Sequence, residues 1–106
     1  MVDREALGRL RAGRFFASWD ESVAPERVAA SEALLGRLVA ELLTLGPEPT
    51  EEAAREAVAA CVRRFNNLDD GWIGTIERED LYEAIGQVVD ACGFDCDEDW
   101  LDERDW

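Results

Sequence analysis

The chain has 106 residues but neither histidine nor lysine, and all eleven of its cationic side chains are arginines. Without histidine it has no imidazole base, no catalytic triad of the usual kind and no histidine-bound zinc. Without lysine it has neither a Schiff-base amine nor a Walker-type phosphate-binding lysine. Because most familiar enzyme designs need one of these groups, we expect a protein that is not an enzyme, with no catalytic residues, no bound metal and no cofactor.

Long apolar runs are also missing. No stretch approaches the length of a membrane span, and the first residues lack the apolar core of a signal peptide. The three cysteines, Cys61, Cys92 and Cys96, form no Cys-x-x-Cys pair and leave one thiol over, which is typical of a reduced compartment. We therefore expect a cytoplasmic protein, and the exclusive use of arginine suggests a GC-rich bacterial genome.

Negative charge, in contrast, is abundant and unevenly distributed. The formal net charge is −14; residues 1–68 hold nine arginines and eleven acids, a net −2, whereas residues 69–106 hold two arginines and fourteen acids, a net −12. The last twelve residues, 95–106, interleave seven acids with Trp100 and Trp106. Such a field repels nucleic acid and anionic membranes and attracts basic surfaces. We expect a basic protein partner, and neither a nucleic acid nor a membrane.

Hydrophobic residues recur with helical spacing throughout the chain, and no sustained alternation indicates a strand. With 47% apolar residues, the chain is predicted to be all-α and to form a single domain, residues 1–106, built as a compact bundle of four to five helices. Only the acidic, tryptophan-bearing C-terminal segment, residues 95–106, has a marginal composition.

Caps and breakers predict where the helices lie. A first segment, about residues 3–20, is weakened by Gly8 and Gly13. The later helices are expected to run from Pro25 to Gly46-Pro47, from a Thr50 cap onward, from a Thr75 cap to Gly93, and from an Asp97 cap to near the chain end. Their predicted buried stripes are Leu34, Leu35, Leu38, Val39, Leu42 and Leu43; Ala54, Val58, Cys61, Val62 and Phe65; and Leu81, Ile85, Val88, Val89 and Cys92.

Residues 65–85, about a fifth of the chain, resemble an EF-hand. Asp69 takes the first ligand position of its loop, Gly74 the turn position and Asp80 the last ligand position. This resemblance implies divalent-cation binding in the loop of residues 69–80.

The same loop departs from the EF-hand pattern at two of the positions that bind the cation. Its third and fifth positions, which supply ligand oxygens in an EF-hand, are Gly71 and Ile73. We therefore favour an ordinary helix–loop–helix corner, in which Trp72, Ile73 and Ile76 fill the core and Thr75 caps the next helix.

The acidic C-terminal segment is the best candidate for a functional surface. Its charges would steer a basic partner, and its tryptophans would anchor that partner once it docks. The predicted partner-binding residues are Asp69, Asp70, Asp97, Asp99, Trp100, Asp102 and Trp106. Inhibitors of nucleases, such as immunity proteins, antitoxins and counter-defence proteins, often have this size and acidity, so we expect a non-enzymatic, inhibitor-like binding protein.

Two structural interpretations of the same segment stay open. Trp100 and Leu101 would lie across the bundle as a closing helix, and the acids would be neutralised by the arginines of the first segment, Arg4, Arg9, Arg11 and Arg14. A further functional alternative is a homodimer or a subunit of an assembly. Its basis is a set of alanines that would allow close helix approach, Ala29, Ala30, Ala33, Ala57 and Ala60.

Overall fold

A computed structural model describes residues 2–104 and Trp106. It contains four α-helices, α1 (Arg4–Ala12), α2 (Pro25–Thr44), α3 (Glu51–Leu68) and α4 (Thr75–Ala91), and two short 3₁₀ helices, Ala17–Trp19 and Glu98–Leu101. The described residues include no strand. The all-α prediction is thus confirmed, with four α-helices arranged as a bundle.

The hydrophobic stripes predicted from spacing form one core between the helices. All the predicted stripe residues of α3 and α4 are buried, and so is Cys92 just after α4. On α2 the central positions Leu35, Leu38, Val39 and Leu42 are buried, whereas Leu34 packs against the core from a partly exposed position. Burying one face of each helix against the others is what makes the bundle stable.

The first segment is broken, as its glycines predict. Helix α1 ends at Ala12, and the chain then turns so that Phe16 and Trp19 stack in the core, their ring centroids 4.1 Å apart. The carboxylate of Glu32 on α2 accepts hydrogen bonds from the backbone amides of Phe15 and Phe16 at 2.8 and 3.1 Å. These bonds satisfy amides that no helix would satisfy at this turn.

Helix caps confirm most predicted boundaries. The Thr50 hydroxyl accepts a hydrogen bond from the Ala53 amide at 3.1 Å, and Asp97 caps the last 3₁₀ helix by accepting from the Asp99 amide at 3.0 Å. Gly46 and Gly93, which follow α2 and α4, adopt φ angles of 93° and 87°. These left-handed conformations favour glycine, so both residues end their helices as expected.

The corner between α3 and α4 departs from the prediction in two ways. Thr75 is the first residue of α4 rather than its cap; Gly74 takes the cap position, and its amide donates to the Glu77 carboxylate at 3.1 Å. The prediction that Ile76 fills the core is also wrong, because its side chain is 69% exposed. Ile76 precedes the buried Leu81 by five residues and Ile85 by nine, so the helical repeat of 3.6 residues per turn places it away from the buried face of α4. Trp72 and Ile73 pack against the core from partly buried positions.

Among the described residues, none of the helices has both the length and the apolarity needed to cross a bilayer.

Candidate functional site

The C-terminal residues fold back across the bundle. We call residues 97–104 and 106 the C-terminal strap; Asp105, one of the seven acids of the predicted segment, lies outside the described residues. The strap begins at the Asp97 cap, continues through the 3₁₀ helix Glu98–Leu101 and reaches Trp106. It packs on α3, because Trp100, Leu101 and Trp106 are all buried.

Trp100 packs against the bundle, and only 3% of its surface is exposed. The ring of Phe94 packs against it with centroids 5.9 Å apart, and the guanidinium of Arg55 on α3 lies 4.6 Å from the centroid of the indole. A guanidinium at this distance over a tryptophan face makes a favourable cation–π contact. The interpretation that Trp100 and Leu101 close the bundle is therefore the one the structure supports.

Trp106 is also buried, at 8% exposure, although its place near the chain end gave no reason to expect it in the core. Its ring meets Phe65 of α3 and Tyr82 of α4, with centroids 6.3 and 5.9 Å apart. Neither tryptophan is therefore exposed to a partner in this structure, and their role as anchors stays a prediction. We call the space between Phe65 of α3 and Tyr82 of α4 the aromatic seam. Trp106 fills this seam and shields both rings from water.

Both buried indoles are imperfectly satisfied. Neither the Trp100 nor the Trp106 Nε1–H has a hydrogen-bond acceptor among the described residues. A buried donor without an acceptor costs about 1–3 kcal/mol. Burial of the apolar rings of Trp100 and Trp106 therefore stabilises the strap, whereas their unsatisfied N–H groups destabilise it.

An acidic groove lies between the strap and the first half of α3. It has a volume of about 390 Å³ and is lined by six carboxylates, one guanidinium, and the side chains of Ala59 and Trp100. The carboxylates are those of Glu51, Glu52, Glu56, Asp99, Asp102 and Glu103, and the guanidinium is that of Arg55. These lining residues carry a formal charge of −5, so the groove concentrates negative potential between two walls.

Two arginines of α3 neutralise part of this groove. Arg55 pairs with Glu51 at 3.3 Å, and Arg63 pairs with Glu56 at 3.1 Å and with Glu103 of the strap at 2.6 Å. The hydrogen bonds that Arg63 donates to Glu56 and Glu103 raise the pKa of Arg63 above its usual value. Among the described residues, no ion pair engages the other three carboxylates, those of Glu52, Asp99 and Asp102.

Two arginines of the first segment pair with acids that lie outside the described part of the strap. Arg9 pairs with Glu5 at 3.5 Å, and Arg14 pairs with Asp20 at 2.7 Å and Glu32 at 3.3 Å. All of these acids belong to the first two helices and the turn between them. The alternative in which Arg4, Arg9, Arg11 and Arg14 neutralise the C-terminal acids is therefore not what the described residues show.

The structure does not bring all the predicted partner-binding residues together. Asp69 follows the last residue of α3, about 20 Å along the helix axis from Glu56 in the groove. Asp70 pairs with Arg27 of α2 at 3.2 Å. Asp99, Trp100 and Asp102 line the groove, Asp97 caps its 3₁₀ helix, and Trp106 covers the far seam.

The acids of the EF-hand-like loop have structural partners. The Asp69 carboxylate accepts from the amides of Gly71 and Ile73 at 2.9 and 3.3 Å, which fixes the turn. The Asp80 carboxylate accepts from the indole of Trp19 at 2.7 Å. Within the described part of the chain, no three acids or cysteines are grouped as metal ligands. These contacts favour the helix–loop–helix corner over a cation site.

The cysteines have thiols that are harder to ionise than usual. Burial raises the pKa of Cys61 to about 12, and it also raises the pKa of Cys92. Burial raises the pKa of Cys96 as well, and the neighbouring Asp97 carboxylate adds to that rise. A thiolate nucleophile needs the opposite shift, so the environments of these residues do not favour covalent chemistry.

The alanines behind the dimer alternative do not share one face. Ala57 is buried where α2 and α3 pack together, and Ala30 and Ala60 are partly buried. Ala29 and Ala33 are exposed on α2. The close approach that small residues allow is thus used in part within the chain.

Sequence reasoning missed four of the six groove carboxylates, those of Glu51, Glu52, Glu56 and Glu103. Glu51 and Glu52 lie in the first turn of α3, where the positive end of the helix dipole favours acids, so their position alone does not indicate a binding site. The available signal was the one-turn spacing of Glu52 and Glu56, which places both carboxylates on one helix face.

Comparison of the chain with protein families, curated proteins and solved structures finds no match.

Proposed function

We propose that this protein is a non-enzymatic binding module that docks a basic protein partner through the acidic groove. The observation that carries the proposal is the groove itself, in which Glu52, Asp99 and Asp102 lack ion-pair partners among the described residues while lying on two facing walls. Carboxylates on both walls can accept charge-assisted hydrogen bonds from a guanidinium or ammonium group that lies between them.

The partner's contribution is a basic segment rather than an apolar one. Trp100 is buried under Arg55, so the groove offers carboxylates at its rim and little aromatic surface. Exposed charges contribute modestly, about 0.2–1 kcal/mol for each pair, and act mainly on the rate of encounter. Binding through this groove should therefore be fast and should weaken as salt is added.

Among basic partners, a nuclease or toxin that the module inhibits fits the proposal best. A nuclease, or a toxin that acts on nucleic acid, has an extended cationic surface because its own substrate is a polyanion. An acidic module that occupies this surface excludes the substrate by charge and by volume. The inhibitor-like role rests on this complementarity.

The test is a titration of the intact protein with a short arginine-rich peptide at low salt. A triple variant, Glu52→Gln with Asp99→Asn and Asp102→Asn, removes the three unpaired groove charges. Its control, Glu79→Gln with Glu83→Gln and Asp90→Asn, removes the same charge from the exposed face of α4. Point substitutions are preferable to deleting residues 95–106, because deletion would also remove the buried Trp100, Leu101 and Trp106.

We expect the groove variant to bind at least about fivefold more weakly than the wild type, since three such charges contribute about 1 kcal/mol or more together. The α4 variant should lose much less. Equal losses in the two variants would show that only the overall charge matters, and would overturn the groove as the docking site.

A further inference from the structure

In the described residues, the contacts that hold the C-terminal strap to the helices all involve a side chain on at least one partner. The strap's backbone hydrogen bonds run from the Trp100 amide to Asp97, from Asp102 to Asp99 and from Arg104 to Leu101, all within the strap. Among the described residues, no backbone–backbone bond joins it to a helix. Segments anchored in this way open more readily than elements whose backbones are interlocked.

Several contacts between the described strap residues and the helices are specific. The Glu103 carboxylate pairs with Arg63 at 2.6 Å, and the Glu103 carbonyl accepts from the Asn66 side chain at 2.7 Å. Trp106 fills the seam beside Tyr82, and the guanidinium of Arg104 lies 5.1 Å from the centroid of the Tyr82 ring. These contacts hold the strap to α3 and α4.

Two features favour opening. The indole N–H groups of Trp100 and Trp106 are buried without acceptors among the described residues, and both would gain water as a partner on release. In addition, the strap places Asp99, Asp102 and Glu103 in the same groove as three glutamates of α3. Like charges on the two walls repel each other, and Arg55 and Arg63 offset this only in part.

From these contacts we propose that the strap is a releasable wall of the acidic groove, which opens locally without unfolding the helices. When it is closed, the groove has both of its carboxylate walls; when it opens, the walls separate and the aromatic seam beside Phe65 and Tyr82 is uncovered. The consequence for partner binding rests on the proposed function, whereas the opening itself does not.

Exchange of the indole N–H protons with deuterium, followed by NMR on the intact protein without any partner, tests the opening. Trp19 is an internal reference, because its indole donates to Asp80 at 2.7 Å and its side chain is 1% exposed. We expect the N–H groups of Trp100 and Trp106 to exchange together, at least about tenfold faster than that of Trp19. Exchange of all three at one common rate would show that the strap opens only with global unfolding, and would overturn the proposal.

A matched pair of variants checks which contact holds the strap closed. Arg63→Gln removes the ion pair to Glu103 and should speed exchange of both strap indoles about two- to fivefold relative to Trp19, as expected for one exposed ion pair. Arg37→Gln removes an exposed pair with Glu41 on α2 and should leave the ratios unchanged. Equal effects of the two substitutions would contradict the proposed role of Arg63. Strap opening combined with no peptide binding in the groove would reject the proposed function but not this inference.

Discussion

Asp80 shows how one residue can be assigned two different roles. Its sequence position suggests the last ligand of a cation loop, yet its carboxylate accepts the indole hydrogen of Trp19, a side chain that stacks on Phe16 in the core. The spacing of acids along the loop was visible in the sequence. Its partner Trp19, 61 residues earlier in the chain, was not visible, because only the folded chain brings Trp19 beside α4.

Replacing Asp80 with alanine should destabilise the protein by about 1–3 kcal/mol, because the buried indole N–H of Trp19 would lose its acceptor. Asp80→Asn keeps an acceptor oxygen and should recover much of that loss. Urea unfolding followed by circular dichroism measures both. The neighbouring substitution Glu79→Ala, at an exposed site, should stay within about 0.5 kcal/mol of the wild type; an equal loss there would contradict the assigned bond.

The three thiols should react slowly with a disulfide reagent at about pH 8, because each has a raised pKa and therefore little thiolate. We expect Cys96, which is only partly buried, to react first, and Cys61 to react only on unfolding. Labelling kinetics in native buffer and in denaturant measure this order. A native thiol that reacted as fast as free cysteine would contradict the burial found here.

At the scale of elements, the caps of α3 and α4 make a direct comparison possible. Thr50→Ala should cost about 1 kcal/mol in the free energy of unfolding, since its hydroxyl caps α3. Thr75→Ala should change it by no more than about 0.5 kcal/mol, because Gly74 and Glu77, rather than Thr75, complete the start of α4. Chemical denaturation of the two variants side by side tests the pair. A larger loss at Thr75 would restore the boundary predicted from sequence.

The helices themselves were predictable because apolar spacing, caps and glycine stops agreed with one another. Where two local signals competed, the prediction failed. Thr75 is a good cap residue, but Glu77, three residues after Gly74, completes the cap one position earlier. Periodicity alone does not choose between two starts that differ by a single residue.

The strap was predicted less well than the helices. Its Asp97 cap follows from local signals and is confirmed, but the helix that it begins is a 3₁₀ helix that ends at Leu101 rather than near the chain end. The burial of Trp106 depends instead on a seam formed by Phe65 and Tyr82, which belong to two different helices. Contacts of that kind are set by tertiary packing and leave no mark on local spacing.

For the whole molecule, the formal charge of −14 predicts that added sodium chloride stabilises the fold. Salt screens repulsion among carboxylates that folding brings close together, and the ion pairs it also screens are mostly exposed. The free energy of unfolding should therefore rise between about 10 mM and 0.5 M salt. Thermal unfolding across this range measures the effect; a fall would mean that the ion pairs outweigh the repulsion.

The groove is a property of the whole molecule and was only half visible in the sequence. Asp99 and Asp102 were predicted as binding residues because of the charge run that contains them. Glu52 and Glu56 join them only because the strap folds back along α3. Asp69 and Asp70, predicted as part of the same surface, belong to the corner between α3 and α4 instead.

The central claim is that a cationic segment binds between the strap and α3. The most direct test is an NMR titration of isotope-labelled protein with the arginine-rich peptide, which follows every backbone amide. The account predicts that the largest shift changes fall in residues 51–59 and 98–104, the two walls of the groove. Changes centred on the exposed acids of α4 or on Asp69 and Asp70, with the groove unaffected, would contradict it.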